Sequence, residues 1–376
     1  MTLHLVTPEY PPRHGGVADY THQVATELSR SGETVHVWGP TGSAAQPGSA
    51  VVVHPDLGRF RAADLRRVSV LLDAYSAPRR LVVQWVPHGY GQRAMNLQFC
   101  LWLWRRSVAG DWVDLIAHEP FMTFTGGMRQ RVVAAVQRAM TLVVMSAARR
   151  VWVTTRAWTP LLEPYLAGRA VTIQWLPVPS SLHSAHPVAV SEVRTRYAPG
   201  RDPLVGHFGT YGSLVASLLD EAIAAVAAAH PSAHFLMIGS GSEAFRLALV
   251  ARERTLESRV SATGTLDAAA LSAHVEACDV LLQPYPDGVT SRRTTVMAGL
   301  FARVPIVTTE GKLTERFWRD EAPVKLAAVG DARGVAEHVV ALLADSAERQ
   351  RQADAGRAFY DRWFDVRHTV AALAAS

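Results

Sequence analysis

Short apolar runs alternate along the chain with longer segments whose apolar residues recur every three to four positions. Runs such as LHLVT, RLVVQWV and DLIAHE are nearly continuous apolar stretches, which is typical of parallel strands covered on both faces. Between them, ADYTHQVATELSRSG places Val24, Ala25 and Leu28 on one helical face before Gly32. The alternation restarts in the second half with PLVGHFG and SAHFLMIGSG. The pattern predicts two α/β domains, each built on a parallel sheet.

The join between these domains is predicted in a segment rich in proline and serine. Pro179 and Pro187 are expected to interrupt any regular element there. The predicted organisation is an N-terminal domain over 1–178, a linker over 179–202, a C-terminal domain over 203–355 and a final helix over 356–376. In that last segment the apolar residues at helical spacing are Phe359, Trp363, Val366, Val370 and Leu373. Their spacing fits a helix that covers its own domain equally well as one that packs back onto the first.

Composition and charge narrow the class of protein. The 376 residues are 49% hydrophobic and 19% charged, which is enough apolar material for two cores. The net charge of +5 is carried almost wholly by arginine, since Lys312 and Lys325 are the only lysines. Compositional bias explains this charge as well as a weak attraction to anionic substrates or membrane surfaces. The arginines are dispersed, so no nucleic-acid partner is expected.

Targeting and redox features point to the cytoplasm. The sequence begins MTLHLVTPEY, without a basic segment followed by a long apolar one, and no apolar stretch approaches about 20 residues. Cys100 and Cys278 are far apart in apolar surroundings and are expected to be free thiols. We therefore expect a cytoplasmic protein, and a peripheral contact with the inner face of the membrane stays open.

A glycine pair follows the first strand in PEYPPRHGGVADY. Gly15 and Gly16 precede a helix predicted to start near Val17. Paired glycines let the backbone approach a ligand, and the helix end offers unpaired N–H groups and a positive partial charge. This combination suits a phosphate group, although a simple turn would use the same residues.

Two loops of the second half have related features. LVGHFGTYG ends a strand in glycines before a helix, and PYPDGVTSRR leads into a helix predicted to begin near Ser291. Arg292 and Arg293 would place cations where the helix dipole favours anions, which makes sense if an anion binds there. The alternative is a solvated surface pair. All three loops follow parallel strands, at the edge where open α/β sheets bind ligands.

These motifs, together with an interior HEP and the region from PYPDGV to MAGLFARVPIVTT, resemble the retaining glycosyltransferases of family four. The resemblance implies the GT-B fold, in which two Rossmann-like domains face each other across a cleft. It also implies a nucleotide-sugar donor, no metal and no cofactor, and a final helix that crosses back to the first domain. His118, in LIAHEP, matches a histidine beside the reacting sugar, and Arg292 and Arg293 are assigned with it to catalysis.

Donor binding is assigned on the same resemblance and on neighbours in the same loops. The glycine pair matches the diphosphate loop, the stretch around Thr265 matches the backbone that meets the nucleobase, and the GSGS loop matches a donor-side loop. The predicted donor-binding residues are Gly15, Gly16, Gly209, Thr210, Tyr211, Gly241, Thr265, Leu266, Asp287, Gly288, Val289, Thr290, Ser291, Thr294 and Thr295.

The chain departs from the family pattern in two places. The family has two glutamates separated by seven residues, and here Asp287 and Thr295 stand at those positions. The family also has an arginine and a lysine after the first strand of the second domain, where this chain has GTYGSLV. Either Arg292 and Arg293 have taken over the diphosphate, with hydroxyls from Thr210 and Tyr211, or donor binding has been lost.

The acceptor side is less defined. Asp19, His88 and Tyr90 are candidate acceptor-binding residues, the last two in a loop at a strand end. The aromatic run LQFCLWLWRR is either a core helix or part of an acceptor-facing or membrane-facing surface. A saccharide, a lipid-linked carrier and a small molecule all remain open as acceptors.

The predicted function is retaining, metal-independent transfer of a sugar from a nucleoside diphosphate to a hydroxyl. No Asp-x-Asp stretch occurs, and His183 and His186 have no third metal ligand nearby in sequence. Two alternatives remain: a nucleotide-sugar epimerase or hydrolase, and a catalytically silent homologue that acts as a binding partner.

Overall fold

The computed structural model describes residues 2–13, 15–124, 126–200 and 202–375. Two compact units make up the chain: unit 1 comprises Met1–Val178 and Val366–Ser376, and unit 2 comprises Pro179–Asp365. Within the described residues, the strands are β1 (Thr2–Val6), β2 (Thr34–Pro40), β3 (Val52–Gly58), β4 (Arg80–Trp85), β5 (Trp112–Ala117), β6 (Ala148–Val153), β7 (Ile173–Trp175), β8 (Leu204–Phe208), β9 (His234–Ile238), β10 (Val260–Ala262), β11 (Val280–Gln283), β12 (Ile306–Glu310) and β13 (Lys325–Ala328).

Helices connect these strands in both units. They are α1 (Gly16–Arg30), α2 (Ala62–Leu72), α3 (Leu97–Val108), α4 (Met128–Ala147), α5 (Thr159–Leu162), α6 (Pro187–Tyr197), α7 (Ser213–Ala229), α8 (Ser242–Arg252), α9 (Ala268–Glu276), α10 (Thr294–Phe301), α11 (Phe317–Asp320), α12 (Ala332–Ala344), α13 (Ser346–Trp363) and α14 (Val366–Ala374). Short 3₁₀ turns occur at Gln92–Ala94, Arg156–Trp158, Glu163–Leu166 and Arg254–Leu256.

Unit 1 contains a seven-stranded parallel sheet in the order β3-β2-β1-β4-β5-β6-β7. Every residue of β4 is buried, which explains its continuous apolar sequence. The charged exception is Arg80, whose Nε donates to Asp114 Oδ2 of β5 at 2.7 Å with both side chains buried. The pairing compensates the desolvation of both charges.

Unit 2 contains a six-stranded parallel sheet in the order β10-β9-β8-β11-β12-β13. Its core packs the apolar faces of α7 and α12 against β8, β9 and β11, including Ile223, Phe235 and Val339. The predicted fold class, α/β with two Rossmann-like parallel-sheet units, is therefore confirmed. Strand β13 has no counterpart in the sequence prediction because KLAA is short and begins with a charge.

The segment predicted to be an irregular linker contains a helix. Pro187 does not interrupt α6 but begins it, at the first helical turn where a missing backbone N–H costs nothing. Arg194 of α6 donates to Asp279 Oδ2 at 2.5 Å, and the same carboxylate accepts from Leu204 N at 2.8 Å. These bonds attach α6 to the unit 2 sheet.

The final segment is also not one helix. Helix α13 ends at Trp363 and α14 begins at Val366, so the apolar residues at helical spacing divide between two cores. Phe359 packs against Trp318 in unit 2, with ring centroids 5.2 Å apart. Leu373 lies in the unit 1 core beside α1, and its carbonyl accepts from Arg80 Nη1 at 2.5 Å. In the described part of the chain, no helix combines enough length and apolar character to cross a bilayer.

Candidate functional site

The loops after β8 and β9 contact each other through glycine backbones. Gly209 N donates to Ile238 O at 3.2 Å, and Gly239 lies in the left-handed region with φ of +111°. A Cβ on Gly239 would lie 2.7 Å from Gly209 O, so only glycine allows this approach. The two loops thus present bare backbone at the carboxyl edge of the unit 2 sheet.

Tyr211 positions these loops. Its hydroxyl donates to Ile238 O at 3.2 Å, and burial raises its pKa well above the ordinary value. In the structure that hydroxyl proton faces the chain's own backbone carbonyls, at His207 and Ile238, and the role of Tyr211 in donor binding stays a prediction. Thr210 next to it is exposed.

The turn after β10 is tied to the same edge. Gly239 N donates to Thr263 Oγ1 at 3.3 Å, and Gly264 N donates to Ser242 Oγ at 2.9 Å. Gly241 begins α8 in the left-handed conformation with φ of +86°. These bonds place Thr265, exposed, and Leu266, half-buried, beside the glycine loops rather than on a separate surface.

The loop between β11 and α10 differs from its prediction. Helix α10 begins at Thr294, not near Ser291. Ser291 is buried, and both its N–H and its hydroxyl donate to the carboxylate of Glu315, at 3.1 and 2.6 Å. The backbone N–H of Ser291 is therefore not open to a phosphate, and this bonding to Glu315 holds the residue in the loop before the helix.

Arg292 and Arg293 lie half-buried in this loop. The guanidinium of Arg293 stacks 4.3 Å above the ring of Tyr285. Burial raises the pKa of Tyr285, and the charges of Arg293 and Arg292 oppose that rise. The Tyr285 hydroxyl is 2.6 Å from Thr295 Oγ1, and the Thr295 methyl is 3.8 Å from where a Cβ on Gly209 would lie. Tertiary structure thus brings these arginines close to the β8 loop.

The first half of the same loop is close-packed. Gly288 has φ of +86°, and a Cβ there would overlap the backbone nitrogen of Gly311. Asp287 forms an ion pair with Lys312 at 3.1 Å, although both side chains are partly exposed. Val289 and Thr290 are fully buried, and Val289 N donates to Thr309 O at 2.8 Å. Val289 and Thr290 therefore support the loop from within.

In unit 1 the glycine pair precedes α1 as predicted, but a carboxylate is already present there. Glu9 Oε1 accepts from Val17 N at 3.1 Å and from Ala18 N at 3.2 Å. A Cβ on Gly15 would lie 2.5 Å from the same oxygen, whereas Gly16 has nothing within 4 Å of that position. The prediction that the α1 N–H groups are unpaired is wrong, because Glu9 satisfies two of them and complements the helix dipole.

His118 directly follows β5 and is half-buried. Its Nε2 is 2.8 Å from Gln84 Oε1, and its ring makes an edge contact with Tyr20 at 4.9 Å. Burial lowers the pKa of His118 to about 4, so the ring is neutral at pH 7. A carboxamide oxygen only accepts, so the orientation of the Gln84 side chain in the structure corresponds to the tautomer with the proton on Nε2 and with Nδ1 as the acceptor.

His88 and Tyr90, predicted to bind the acceptor, lie in different environments. His88 is half-exposed, and its Nδ1 is 3.3 Å from Glu119 Oε2. The hydrogen bond to Glu119 raises the pKa of His88 against the effect of burial, and Glu9 adds to the rise. Tyr90 is fully buried, stacks 4.1 Å from Phe99 and donates to Gln84 O at 2.6 Å. Tyr90 is therefore a core residue, and its assignment to the acceptor is wrong. Asp19 is exposed on α1.

Four residues of these arrangements were not predicted from the sequence. They are Glu9, Gln84, Tyr285 and Glu315. Gln84 had a detectable signal, because it is the one uncharged polar residue of β4, whose other residues apart from Arg80 are apolar. Glu315 had none, since it acts on Ser291 from 24 positions away. In the described ranges, no group of three or more His, Cys, Asp or Glu side chains is placed to hold a metal ion.

Comparisons with known proteins match the two units unequally. Residues 203–345 match the family model described as glycosyl transferases group 1, a range that contains the unit 2 loops described above. A search of curated proteins found no match to the chain.

Solved structures resemble the whole chain. A sucrose-phosphate synthase from Thermosynechococcus elongatus has a TM-score of 0.75 at 15% identity, with 99% of this chain and 97% of that chain covered. Anabaena Alr3699/HepE in complex with UDP has a TM-score of 0.70 at 17% identity, with 100% and 98% covered. WaaG, a glycosyltransferase involved in lipopolysaccharide biosynthesis, has a TM-score of 0.65 at 15% identity, with both chains covered in full. The chain thus has the GT-B fold of these proteins, and its second half matches the glycosyl transferases group 1 model.

Proposed function

We propose that the chain is a glycosyltransferase that moves a sugar from a nucleoside diphosphate to an acceptor hydroxyl. The proposal rests on one observation. Residues 203–345 match the glycosyl transferases group 1 model, and the same range contains the glycine loops and the paired arginines at one edge of the unit 2 sheet. Retention of configuration and independence of metal rest on the resemblance to family four. HepE was solved with UDP, which makes uridine nucleotides the first donors to test.

Unit 2 supplies the donor contacts in this proposal. The bare backbone at Gly209 and Gly241, with the exposed hydroxyl of Thr210, meets the phosphates and sugar, and Thr265 and Leu266 meet the nucleobase. Arg292 and Arg293 neutralise the diphosphate through charge-assisted hydrogen bonds. The remaining residues assigned to donor binding shape the wall of the donor site and supply no charge. They are Gly288, Val289, Thr290, Thr294 and Thr295.

The leaving diphosphate gains negative charge as its bond to the anomeric carbon breaks. Arg293 is held over Tyr285, and Tyr285 is itself hydrogen-bonded to Thr295, so the guanidinium is positioned before the charge develops. Preorganised cations of this kind stabilise a transition state more than a ground state. Loss of one such donor costs about 3 kcal/mol, or 100-fold or more in rate.

Unit 1 supplies His118 and the acceptor side. His118 is neutral and bonded through Nε2 to Gln84, so its free ring nitrogen, Nδ1, accepts a hydrogen bond from a sugar hydroxyl rather than attacking carbon. The departing phosphate oxygen takes the proton of the acceptor hydroxyl. His88, Glu119 and Asp19 are the polar groups offered to an acceptor, whether a saccharide, a lipid-linked carrier or a small molecule.

Two observations favour a second candidate, a silent homologue that binds a partner without turning over a donor. Glu9 takes the α1 N–H groups at Val17 and Ala18, and Asp287 places a carboxylate in the donor loop. Each carboxylate would repel a diphosphate that came near it. A diphosphate would have to displace Glu9 from the α1 N–H groups, and near Asp287 it would need the positive charge of Lys312. This candidate predicts no nucleotide binding.

A thermal-shift screen tests the proposal. UDP, GDP, ADP, TDP and their sugar conjugates are added, with and without EDTA, to the wild type, to Arg292→Ala/Arg293→Ala and to the control Arg333→Ala/Arg351→Ala, whose arginines are exposed on α12 and α13. Ligand at about 100 times its dissociation constant adds roughly 2.7 kcal/mol of apparent stability. We expect one nucleotide to shift the wild type and the control but not the first variant, with EDTA making no difference.

Turnover separates the remaining alternatives. Release of the nucleoside diphosphate only in the presence of an acceptor supports transfer, whereas turnover of the donor without an acceptor supports a hydrolase or an epimerase. Absence of a shift with every nucleotide would overturn the proposal and favour the silent homologue.

A further inference from the structure

Helices α3 and α4 lie side by side on one face of the unit 1 sheet. They connect β4 to β5 and β5 to β6, two right-handed crossovers that proceed in the same direction. Ser107 Oγ donates to Ala147 O at 3.0 Å, and Asn96 N, which precedes α3, contacts Met140 Sδ at 3.2 Å. Their outward sides therefore form one surface of unit 1.

That surface is apolar where a water-facing helix is normally polar. On α3 the outward residues recur at helical spacing and are between 37% and 68% exposed: Leu97, Leu101, Trp104 and Val108. On α4 they follow the same spacing: Met128, Val132, Ala135, Ala139 and Leu142, of which Met128 is 75% exposed. We call these nine residues the α3–α4 outer face.

Cations surround the α3–α4 outer face and carboxylates are missing from its helices. Arg105, Arg129 and Arg131 are exposed, and the sequences of α3 and α4 contain no Asp or Glu. The guanidinium of Arg138, within α4, stacks 3.8 Å over the ring of Phe124 in the loop before that helix, and Phe124 is 51% exposed. An exposed apolar face is thus combined with arginines on two helices that carry no carboxylate of their own.

We infer that the α3–α4 outer face binds the surface of a lipid bilayer that contains anionic lipids. Helices with an apolar face flanked by arginine lie in the plane of the interface, with their apolar side chains among the acyl chains. Trp104 has the amphipathic ring favoured at that depth, and the arginine stems extend to the lipid phosphates.

The charge pattern disfavours a second copy of the chain as the occupant. A two-fold interface places the same patch on both sides, so Arg105, Arg129 and Arg131 would meet the same arginines with no carboxylate on either helix. An anionic lipid surface supplies the missing negative charge. This inference stands independently of the proposed glycosyl transfer.

Vesicle co-sedimentation tests the inference on the full chain. Vesicles of phosphatidylcholine alone are compared with vesicles containing about 30% phosphatidylglycerol. We expect at least ten-fold stronger partitioning onto the anionic vesicles, and weaker binding at high salt because exposed charges are screened. Trp104→Gln/Met128→Gln should lower that partitioning at least ten-fold. Its control, Val188→Gln/Leu247→Gln, changes two equally exposed apolar residues on helices of unit 2 and should not.

A charge variant gives a second readout. Arg129→Gln/Arg131→Gln should reduce binding to anionic vesicles by roughly five-fold per arginine while leaving the weak binding to neutral vesicles unchanged. The nucleotide thermal shift should be the same in all variants, so failure of donor binding and failure of membrane binding are seen separately.

The inference is overturned if the wild type does not prefer anionic vesicles. Equal losses in the α3–α4 variant and in its unit 2 control would also overturn it. Self-association of the wild type that is abolished by Trp104→Gln/Met128→Gln, without vesicle binding, would assign the face to a second copy instead.

Discussion

The carboxylate of Glu315 accepts hydrogen bonds from both the backbone N–H and the hydroxyl of Ser291. Trp318 Nε1 donates to the same carboxylate at 3.0 Å, and Trp318 is fully buried. One side chain from the loop after β12 therefore holds the loop that carries the paired arginines. Donor binding in unit 2 depends on this attachment in the proposed function.

Replacing Glu315 should loosen that loop. Glu315→Ala leaves buried donors on Ser291 and Trp318 unsatisfied, and the free energy of unfolding should fall by about 3 kcal/mol, measured by urea denaturation. Nucleotide affinity should fall with it, because Arg292 and Arg293 lose their support. Glu337→Ala, at an exposed ion pair on α12, should change stability by no more than about 0.5 kcal/mol. Equal effects of both substitutions would contradict this role.

Gly288 should tolerate no side chain. Gly288→Ala combines a left-handed backbone with overlap against Gly311, whereas Gly330→Ala has nearly the same φ, +84° against +86°, and open space. The difference in unfolding free energy between the two variants isolates the steric overlap. We expect Gly288→Ala to cost about 2 kcal/mol more than Gly330→Ala. A difference below about 0.5 kcal/mol would show that the loop containing Gly288 is not in contact with the loop containing Gly311.

Glu9 should compete with a phosphate for the start of α1. Glu9→Gln removes a negative charge from the helix N-terminus and should cost about 1 kcal/mol of stability. In the same variant nucleoside diphosphate affinity should rise, as measured by isothermal titration. The control Glu27→Gln, near the end of α1, should leave affinity unchanged. Unchanged affinity in Glu9→Gln would place the diphosphate away from Val17 and Ala18.

His118 should stay neutral across the physiological range. Its pKa of about 4, lowered by burial, predicts no change in its ring NMR signals between pH 5.5 and 8. Gln84→Glu would place a carboxylate beside Nε2 and raise that pKa, so the titration should move toward neutral pH. Gln84→Met, of similar size and uncharged, should not move it toward neutral pH. A wild-type titration near pH 6.5 would contradict the buried, neutral assignment.

Three further histidines should make the free energy of unfolding sensitive to acid. His4, His36 and His54 stack across β1, β2 and β3, and His4 Nδ1 accepts from Trp38 Nε1 at 3.2 Å. Burial, with the charges of the other two histidines and of nearby arginines, lowers the pKa of His4 to about 3. The arginines are Arg79 and Arg106, ion-paired with Asp73 and Asp111, and the Tyr75 hydroxyl is 3.3 Å from His36 Nδ1.

The sign of this effect follows from proton uptake. The unfolded chain protonates His4 below about pH 6.5, whereas the folded chain resists until about pH 3. Stability is therefore lost as pH falls from 6.5 toward 3, by up to about 1.4 kcal/mol per pH unit for each such histidine. His4→Gln keeps an acceptor for Trp38. It should reduce the pH dependence of the unfolding free energy by an amount equivalent to the uptake of about one proton.

The alternation of strands and helices was predictable because its cause is local. A strand buried on both faces must be apolar throughout, so RLVVQWV identifies β4 without knowledge of its neighbours. Helix α7 (Ser213–Ala229) is another such case, since the spacing of its apolar residues reflects which face packs inward. Strand β13 was missed because four residues with a leading lysine carry too little of that pattern.

The sequence by itself determined the parallel α/β class, the two-unit organisation of the sheets and the strand ends at which the glycines and arginines lie. Tertiary structure decided what those groups face. Glu315 delays the start of α10 to Thr294, Glu9 takes the α1 N–H groups, and Tyr90 turns into the core to reach Gln84 O. Each of these depends on one or two hydrogen bonds between residues at least six positions apart in the sequence. The periodicity of apolar residues reflects which face of a single helix or strand is buried. Hydrogen bonds between residues far apart in the sequence therefore cannot be predicted from it.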